Sequence, residues 1–184
     1  MSARQDKFSV LLLDGYGHHS QKVATCLGKI PGLKLHVLSD IRWPAVRWSR
    51  FVASFHQFRD ATDEAGQCAE LLRVSRAVRA DVLLPVTESG LRLLARNQTQ
   101  LAAEIRLPPL PRPELLETVI NKFSLAGRLE RLGIPTPATV LFTSLAAAER
   151  DVDQLPFPVL LKPVVGGGGT GIVRFDDRAR LLQA

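Results

Sequence analysis

The sequence predicts an α/β protein, a Rossmann-like parallel sheet followed by a small α+β unit. Three observations carry that expectation. From Phe8 to Leu94, short apolar runs alternate with stretches of helical spacing, the rhythm of strands joined by crossover helices. Four prolines then crowd into the seven residues of LPPLPRP, 107–113. Beyond them, two short apolar runs flank an unbroken run of four glycines, 166–169.

Each element has its own signal. The run 8–13 is rich in Val and Leu and ends at the turn Asp14-Gly15-Tyr16-Gly17, which reads as a strand buried on both faces. Val23, Ala24 and Leu27 give residues 19–29 helical spacing, and Pro31-Gly32 closes that helix. Leu33, Leu35 and Val37 alternate as in a strand over 33–38. Thr62-Asp63-Glu64 looks like a helix start, and Leu71, Leu72, Val74 and Val78 continue it to about residue 79. DVLLPV, 81–86, is a further strand, after which Thr87 can cap a helix carrying Leu91, Leu93 and Leu94.

The proline-rich stretch cannot be a helix interior or a central strand, so it reads as a stiff connector. It divides the chain into expected domains at 1–113 and 114–184. Pro113 suits the first position of a helix over 114–120; Asn121 can cap a second helix over 122–132, ended by Gly133. A strand at 139–142, a helix from Thr143 to about 155, a strand at 158–162 and a paired strand at 171–175 complete the second unit.

Composition excludes several classes. The chain has 184 residues, 46% of them apolar and 23% charged, enough for a buried core. No apolar run approaches the roughly 18 residues of a membrane span, and two cysteines, Cys26 and Cys68, cannot make a disulfide framework. A cytoplasmic setting with no membrane partner is the expectation. The net charge of +6 and the stretch Arg42, Trp43, Arg47, Trp48, Arg50, Phe51, Phe55, Phe58, Arg59 raise single-strand binding as a reading. No RNA-recognition, helix-turn-helix or finger signature accompanies it, so the rings read as core, the arginines as their solvated rim, and nucleic acid is not an expected partner.

The residues that carry chemistry lie in the last third. Lys122 opens a helix, Lys162 ends the strand PVLLKP, and GGGGTG follows at once. Alone, a glycine run reads as a linker and each lysine as a solvated charge. Together and in this order they make a polyphosphate trap. Glycines leave backbone N–H groups unobstructed for phosphate oxygens, and lysines held on two separate elements clamp the same charge. The run is not a Walker A loop, since no Gly-Lys-Ser/Thr follows, and a strand rather than a helix comes next. In the first domain, Asp14 and Glu88 sit at expected strand ends, where ligands bind in open α/β sheets. Glu88 reads first as a first-turn acid complementing the helix dipole, and as a substrate contact second. His18-His19, without a third partner, reads as a solvated turn rather than a metal site, and no metal ligand is assigned.

The segments NKFSLAGRLERLGIPTPAT (121–139) and FPVLLKPVVGGGGTGI (157–172) resemble the ATP-grasp superfamily. DVLLPVTESGLRLLA (81–95) and Ser49-Arg50-Phe51 resemble, more weakly, the pre-ATP-grasp domain of carbamoyl-phosphate-synthase-like and carboxylate–amine ligase members. The resemblance implies that 1–113 is a pre-ATP-grasp domain and 114–184 the first lobe of the grasp. It implies that Lys122 and Lys162 contact nucleotide phosphates and that Gly166, Gly167, Gly168, Gly169 and Gly171 form the lid. It further implies ATP and Mg2+, a carboxylate substrate activated as an acyl phosphate, and an amine or similar nucleophile as acceptor; neither substrate is identified. Asp14 and Glu88 are the candidates to meet one of them. The metal ligands of that family lie in a second lobe for which Asp176 and Asp177 are no substitute. The expectation is therefore the N-terminal part of a ligase, inactive alone, with an exposed, partly apolar face around Lys162 that favours self-association. A stand-alone Rossmann-like binding or regulatory module without catalysis is the alternative.

Overall fold

The computed structural model describes residues 8–15, 17–58 and 63–183. Tyr16, Arg59 and Thr62, which enter the readings above, lie outside the described residues. Contacts divide the chain between Pro113 and Glu114 into two compact units.

The first unit is a four-stranded parallel sheet in the order β3-β2-β1-β4, with β1 Ser9–Leu13, β2 Lys34–Ser39, β3 Val52–Gln57 and β4 Val82–Pro85. All five residues of β1 are buried, as the unbroken apolar run requires. Leu11 and Leu13 join one core with Leu71 and Leu72 from α2 (Glu64–Val78) and Leu94 from α3 (Glu88–Arg96). Val10 and Leu12 join the other with Ala24 of α1 (Gly17–Leu27), Leu35 and Val37. Each leucine removed from water in this way contributes about 1.5–3 kcal/mol. Caps start the helices where the residue types allow. Asp63 accepts from the Gly66 amide at 2.7 Å and Thr87 from the Gly90 amide at 3.2 Å.

Three elements of the first unit were not expected from the sequence. The stretch after β2 holds a 3₁₀ turn, Ala45–Trp48, and the fourth strand, β3. Being an edge strand with mixed, half-buried residues, β3 carries no clean alternation to read. A short helix α4, Gln98–Ala102, follows α3, and Leu107 and Leu110 of the proline-rich stretch pack against the first core instead of leaving it.

The expectation that the Arg42–Phe58 rings are core fails at the tryptophans. Trp43 is 58% and Trp48 72% exposed. Only the neighbouring Val46 is fully buried, so the turn is anchored through its valine and turns both indoles outward.

In the second unit, α5 (Pro113–Ile120) and α6 (Lys122–Arg131) precede α7 (Leu145–Asp151), and β5 (Val159–Leu161) pairs antiparallel with β6 (Val173–Phe175). Asp177 caps a last helix, α8, Arg178–Leu182, through the Arg180 amide at 2.9 Å. Thr139–Phe142, expected as a strand, has no ladder partner and is irregular, because Pro135 and Pro137 lead into it and the sheet stops at two strands. The helix cap nearby is Ser144, one residue beyond the expected Thr143. Val152, Phe175 and Leu181 form the small buried core, while Leu160, Leu161, Ile172 and Val173 stay exposed.

A polar chain crosses the first unit. Ser54 Oγ on β3 lies 2.7 Å from His36 Nδ1 on β2 and 2.7 Å from His56 Nε2, while the buried His36 Nε2 has no partner among the described residues. Burial holds both imidazoles below the ordinary histidine pKa. The positive field of His56 and Lys34 adds to this at His36; at His56, Arg73 adds to it and Glu70 opposes it. An unfolded chain therefore takes up these protons at higher pH than the folded one, and stability should fall as pH drops below about 6.5. Thermal melts followed by circular dichroism between pH 8 and 5.5 should show that fall, and His36→Gln with His56→Gln should flatten it. An identical pH profile in the double variant contradicts the assignment.

Candidate functional site

The second unit brings its two singled-out lysines to one cleft. Its volume is about 490 Å³, and its walls are α6 at Lys122 and Phe123, the irregular segment 137–142, β5 with its flanks, and Leu155 and Leu181. Lys122 is placed by Asn121, whose side chain accepts from the Ser124 amide at 2.9 Å and so begins α6 at that point. Lys162 is the residue after β5 and is exposed. The antiparallel register Val159↔Phe175, Leu160↔Arg174, Leu161↔Val173 makes 162–172 the loop that joins the two strands.

That loop is built on glycine for backbone reasons. Gly166, Gly168 and Gly169 have φ of 127°, 66° and 80°, where a side chain is strained, yet a Cβ on any of them would meet nothing within 4 Å. Gly171 is different. Its φ is 73° and a Cβ there would lie 2.8 Å from the Pro163 ring, so packing as well as conformation excludes a side chain. Two turn bonds shape the loop, Thr170 N–H to Gly167 O at 3.4 Å and Ile172 N–H to Gly169 O at 3.2 Å. Among the described residues, the amides of Gly166, Gly167, Gly168 and Gly169 donate no hydrogen bond.

Lys122 ties α6 to this loop twice. Its backbone N–H donates to Val164 O at 2.9 Å and its Nζ to Gly166 O at 2.6 Å. An ammonium has three donors, so two remain for a ligand. Two lysines on one cleft, beside a loop with undonated amides, form an arrangement able to bind several phosphate oxygens at once. Among the described residues no group of three or more His, Cys, Asp and Glu could hold a metal ion.

Asp14 and Glu88 lie at one edge of the first unit, since β1 and β4 are neighbours with Leu13 opposite Pro85. Their surroundings differ. Asp14 takes a positive φ of 74°, and its carboxylate accepts from the Thr87 hydroxyl and the Gly90 amide. Burial raises its pKa above the ordinary carboxylate value; the Thr87 bond opposes this, and the nearby Asp40 charge adds to it. Its backbone is held as well, accepting from Ser20 Oγ at 2.9 Å and donating to Leu38 O at 2.9 Å. Glu88, by contrast, is exposed and forms no hydrogen bond or ion pair among the described residues. Sequence reasoning missed Thr87 as Asp14's partner because it assigned that hydroxyl to helix capping alone; it does both.

No family model matches the chain. Curated relatives that match it include a biotin carboxylase and a ribonucleotide synthase. Biotin carboxylase 2 of Bacillus subtilis (strain 168) is 26% identical over 120 residues, 62% of this chain and 26% of that protein. N5-carboxyaminoimidazole ribonucleotide synthase of Synechococcus elongatus is 35% identical over 77 residues, 40% of this chain and 19% of that protein. Among solved structures, the L-amino acid ligase from Bacillus licheniformis superposes with a TM-score of 0.66 at 21% identity, covering 97% of this chain and 41% of that one. The biotin carboxylase domain of Hydrogenobacter thermophilus 2-oxoglutarate carboxylase, solved with MgADP and bicarbonate, has a TM-score of 0.66 at 17% identity, covering 97% of this chain and 40% of that one. The chain thus spans about a quarter or less of the curated relatives' length. Its fold is that of the corresponding part of ATP-grasp carboxylate–amine ligases.

The bonds around Asp14 yield a stability test. Asp14→Ala leaves the Thr87 hydroxyl without its carboxylate acceptor, although the Gly90 amide keeps Thr87 Oγ, and puts alanine at positive φ, which should cost about 1–3 kcal/mol in chemical denaturation. Asp14→Asn keeps an acceptor and tolerates that backbone, so it should cost less. Equal losses would mean that the charge, not the acceptor, holds this edge.

Proposed function

We propose that residues 1–113 are the pre-ATP-grasp domain and 114–184 the first grasp lobe of an ATP-dependent ligase that activates a carboxylate for attack by an amine or similar nucleophile. The observation that carries this reading is the single cleft lined by Lys122 and Lys162, beside a loop whose Gly166–Gly169 amides are undonated. The likeness to ATP-grasp ligases in sequence and fold supports it.

In this reading Lys162, rigid at the end of β5, offers one fixed positive charge to the phosphates. Lys122 offers its two remaining donors from α6, and through Gly166 it couples its own position to that of the lid. Gly166, Gly167, Gly168, Gly169 and Gly171 then close over the phosphates and turn their amides toward them. Such positioning and charge neutralisation are what phosphoryl transfer asks of a protein. Mg2+, when bound, would neutralise charge on the transferred phosphoryl group. The described residues supply no ligand set for it, so no step is routed through it. Glu88, exposed at the sheet edge, is the group of the first unit free to meet a substrate, while Asp14 shapes the edge beside it. The exposed apolar residues Leu161 and Val173, paired on one face at the loop end of the sheet, are where the chain self-associates.

The chain by itself binds ATP and does not turn it over. Titration calorimetry with ATP should show binding that weakens about tenfold or more in Lys162→Ala or Lys122→Ala, the loss of one charge-assisted hydrogen bond. Unchanged affinity in both variants would remove the phosphate role. ATP hydrolysis by the pure chain that disappears in Lys162→Ala would overturn the statement that it is inactive alone.

A further inference from the structure

The tryptophans left outside the core form an ordered arrangement. The Trp43 and Trp48 rings are parallel within 2° with centroids 6.3 Å apart. The Arg47 guanidinium lies 4.5 Å from the Trp43 centroid, 5.6 Å from that of Trp48 and 4.9 Å from that of Phe55, so one cation holds three rings. Arg47 Nη1 also donates to Arg42 O at 3.0 Å, which fixes the cation itself. Beneath, Val46 is fully buried and Pro44 packs against Gly15, so the turn carrying the rings is anchored to the sheet. Arg42 lies 5.3 Å over Trp43, and Arg50 lies 4.9 Å over Phe51. Among the described residues, Arg42, Arg47 and Arg50 form no ion pair with an acid.

We propose that the exposed Trp43–Trp48 pair with Arg42, Arg47 and Arg50 is a docking platform for single-stranded nucleic acid. In the sequence no nucleic-acid signature accompanies this stretch and its rings read as core; the structure leaves Trp43 and Trp48 exposed, while Phe51, Phe55 and Phe58 are half-buried. Two parallel, pre-ordered indole faces suit planar bases, every one of which has a π-face; Arg47 holds the rings, and Arg42 and Arg50, which meet no acid among the described residues, suit the phosphates. A second copy of this chain is the wrong partner, because a two-fold contact would press the same three cations against themselves. An acidic peptide would satisfy the arginines but leave the ring faces uncovered. The platform is open rather than enclosed, so a single mononucleotide gains little; a strand sums stacking and phosphate contacts along its length.

The test uses the full chain and a 20-nucleotide oligothymidylate. Trp43 and Trp48 are the chain's only two tryptophans, so intrinsic fluorescence reports this site directly. Quenching is expected, with affinity falling about tenfold in Trp48→Ala and largely kept in Trp48→Phe. Arg50→Gln should weaken binding and lower the salt slope by about one. Trp48 is so exposed that its removal should leave the fold intact, which circular dichroism checks. The proposal is overturned by absence of quenching, by quenching with an acidic peptide but not the oligonucleotide, or by binding that persists unchanged in Trp48→Ala. None of these outcomes bears on ATP binding in the second unit.

Discussion

The first unit depends on a strand with no exposed face. Because β1 is buried from Ser9 to Leu13, it needs strands on both edges and helices on both sides, and the order β3-β2-β1-β4 with α1, α2 and α3 supplies them. The same constraint shapes the edge where β1 and β4 end. There α1 leaves β1 toward one core and α3 leaves β4 toward the other. Asp14 stands at that point, and its bonds to Thr87 and Gly90 join the β1 end to the start of α3. A buried carboxylate is tolerated there because hydrogen-bond donors meet it, which leaves Glu88 as the carboxylate open to solvent.

The second unit is organised around a loop more than around a core. Its buried cluster is three residues with three partly buried neighbours, far smaller than either core of the first unit. What order the loop has comes from the tie between Lys122 and Val164–Gly166 and from the close approach of Gly171 to Pro163. A loop held by two bonds at one end, with φ values open to glycine and with free amides, can rearrange around an anion at low cost. The exposed apolar residues follow from the same shortage of layers: Leu160 lies on the opposite face from Phe175, while Leu161 and Val173, paired on the same face as the buried Phe175, lie beyond the small core at the loop end of the sheet.

Local signals made much of this legible. The run at 8–13, the Thr87 and Asn121 caps, the proline at the head of α5 and the glycine run each depend on chemistry within a few residues, and each sits where that chemistry requires. Illegible features were those decided by partners distant in the chain. Whether residues 139–142 become a strand depends on a neighbour to pair with, and β3 shows its identity only through the ladder to β2. The tryptophans misled because ring size argues for burial, whereas Val46 and Pro44 already supply the buried apolar contacts of that turn.

The sequence by itself determined most strands and helices of the first unit, though not β3 or α4, the position of the glycine loop between two short strands, and the two lysines that precede it. These are local properties: apolar periodicity, capping oxygens, and backbone conformations open only to glycine. Only the tertiary structure decided that Lys122 and Lys162 share one cleft, that Asp14 spends its carboxylate on Thr87 and Gly90, and that Trp43 and Trp48 face solvent in parallel. Those outcomes depend on which distant segments pack together and which groups the packing leaves without a partner, and no short-range pattern encodes that competition.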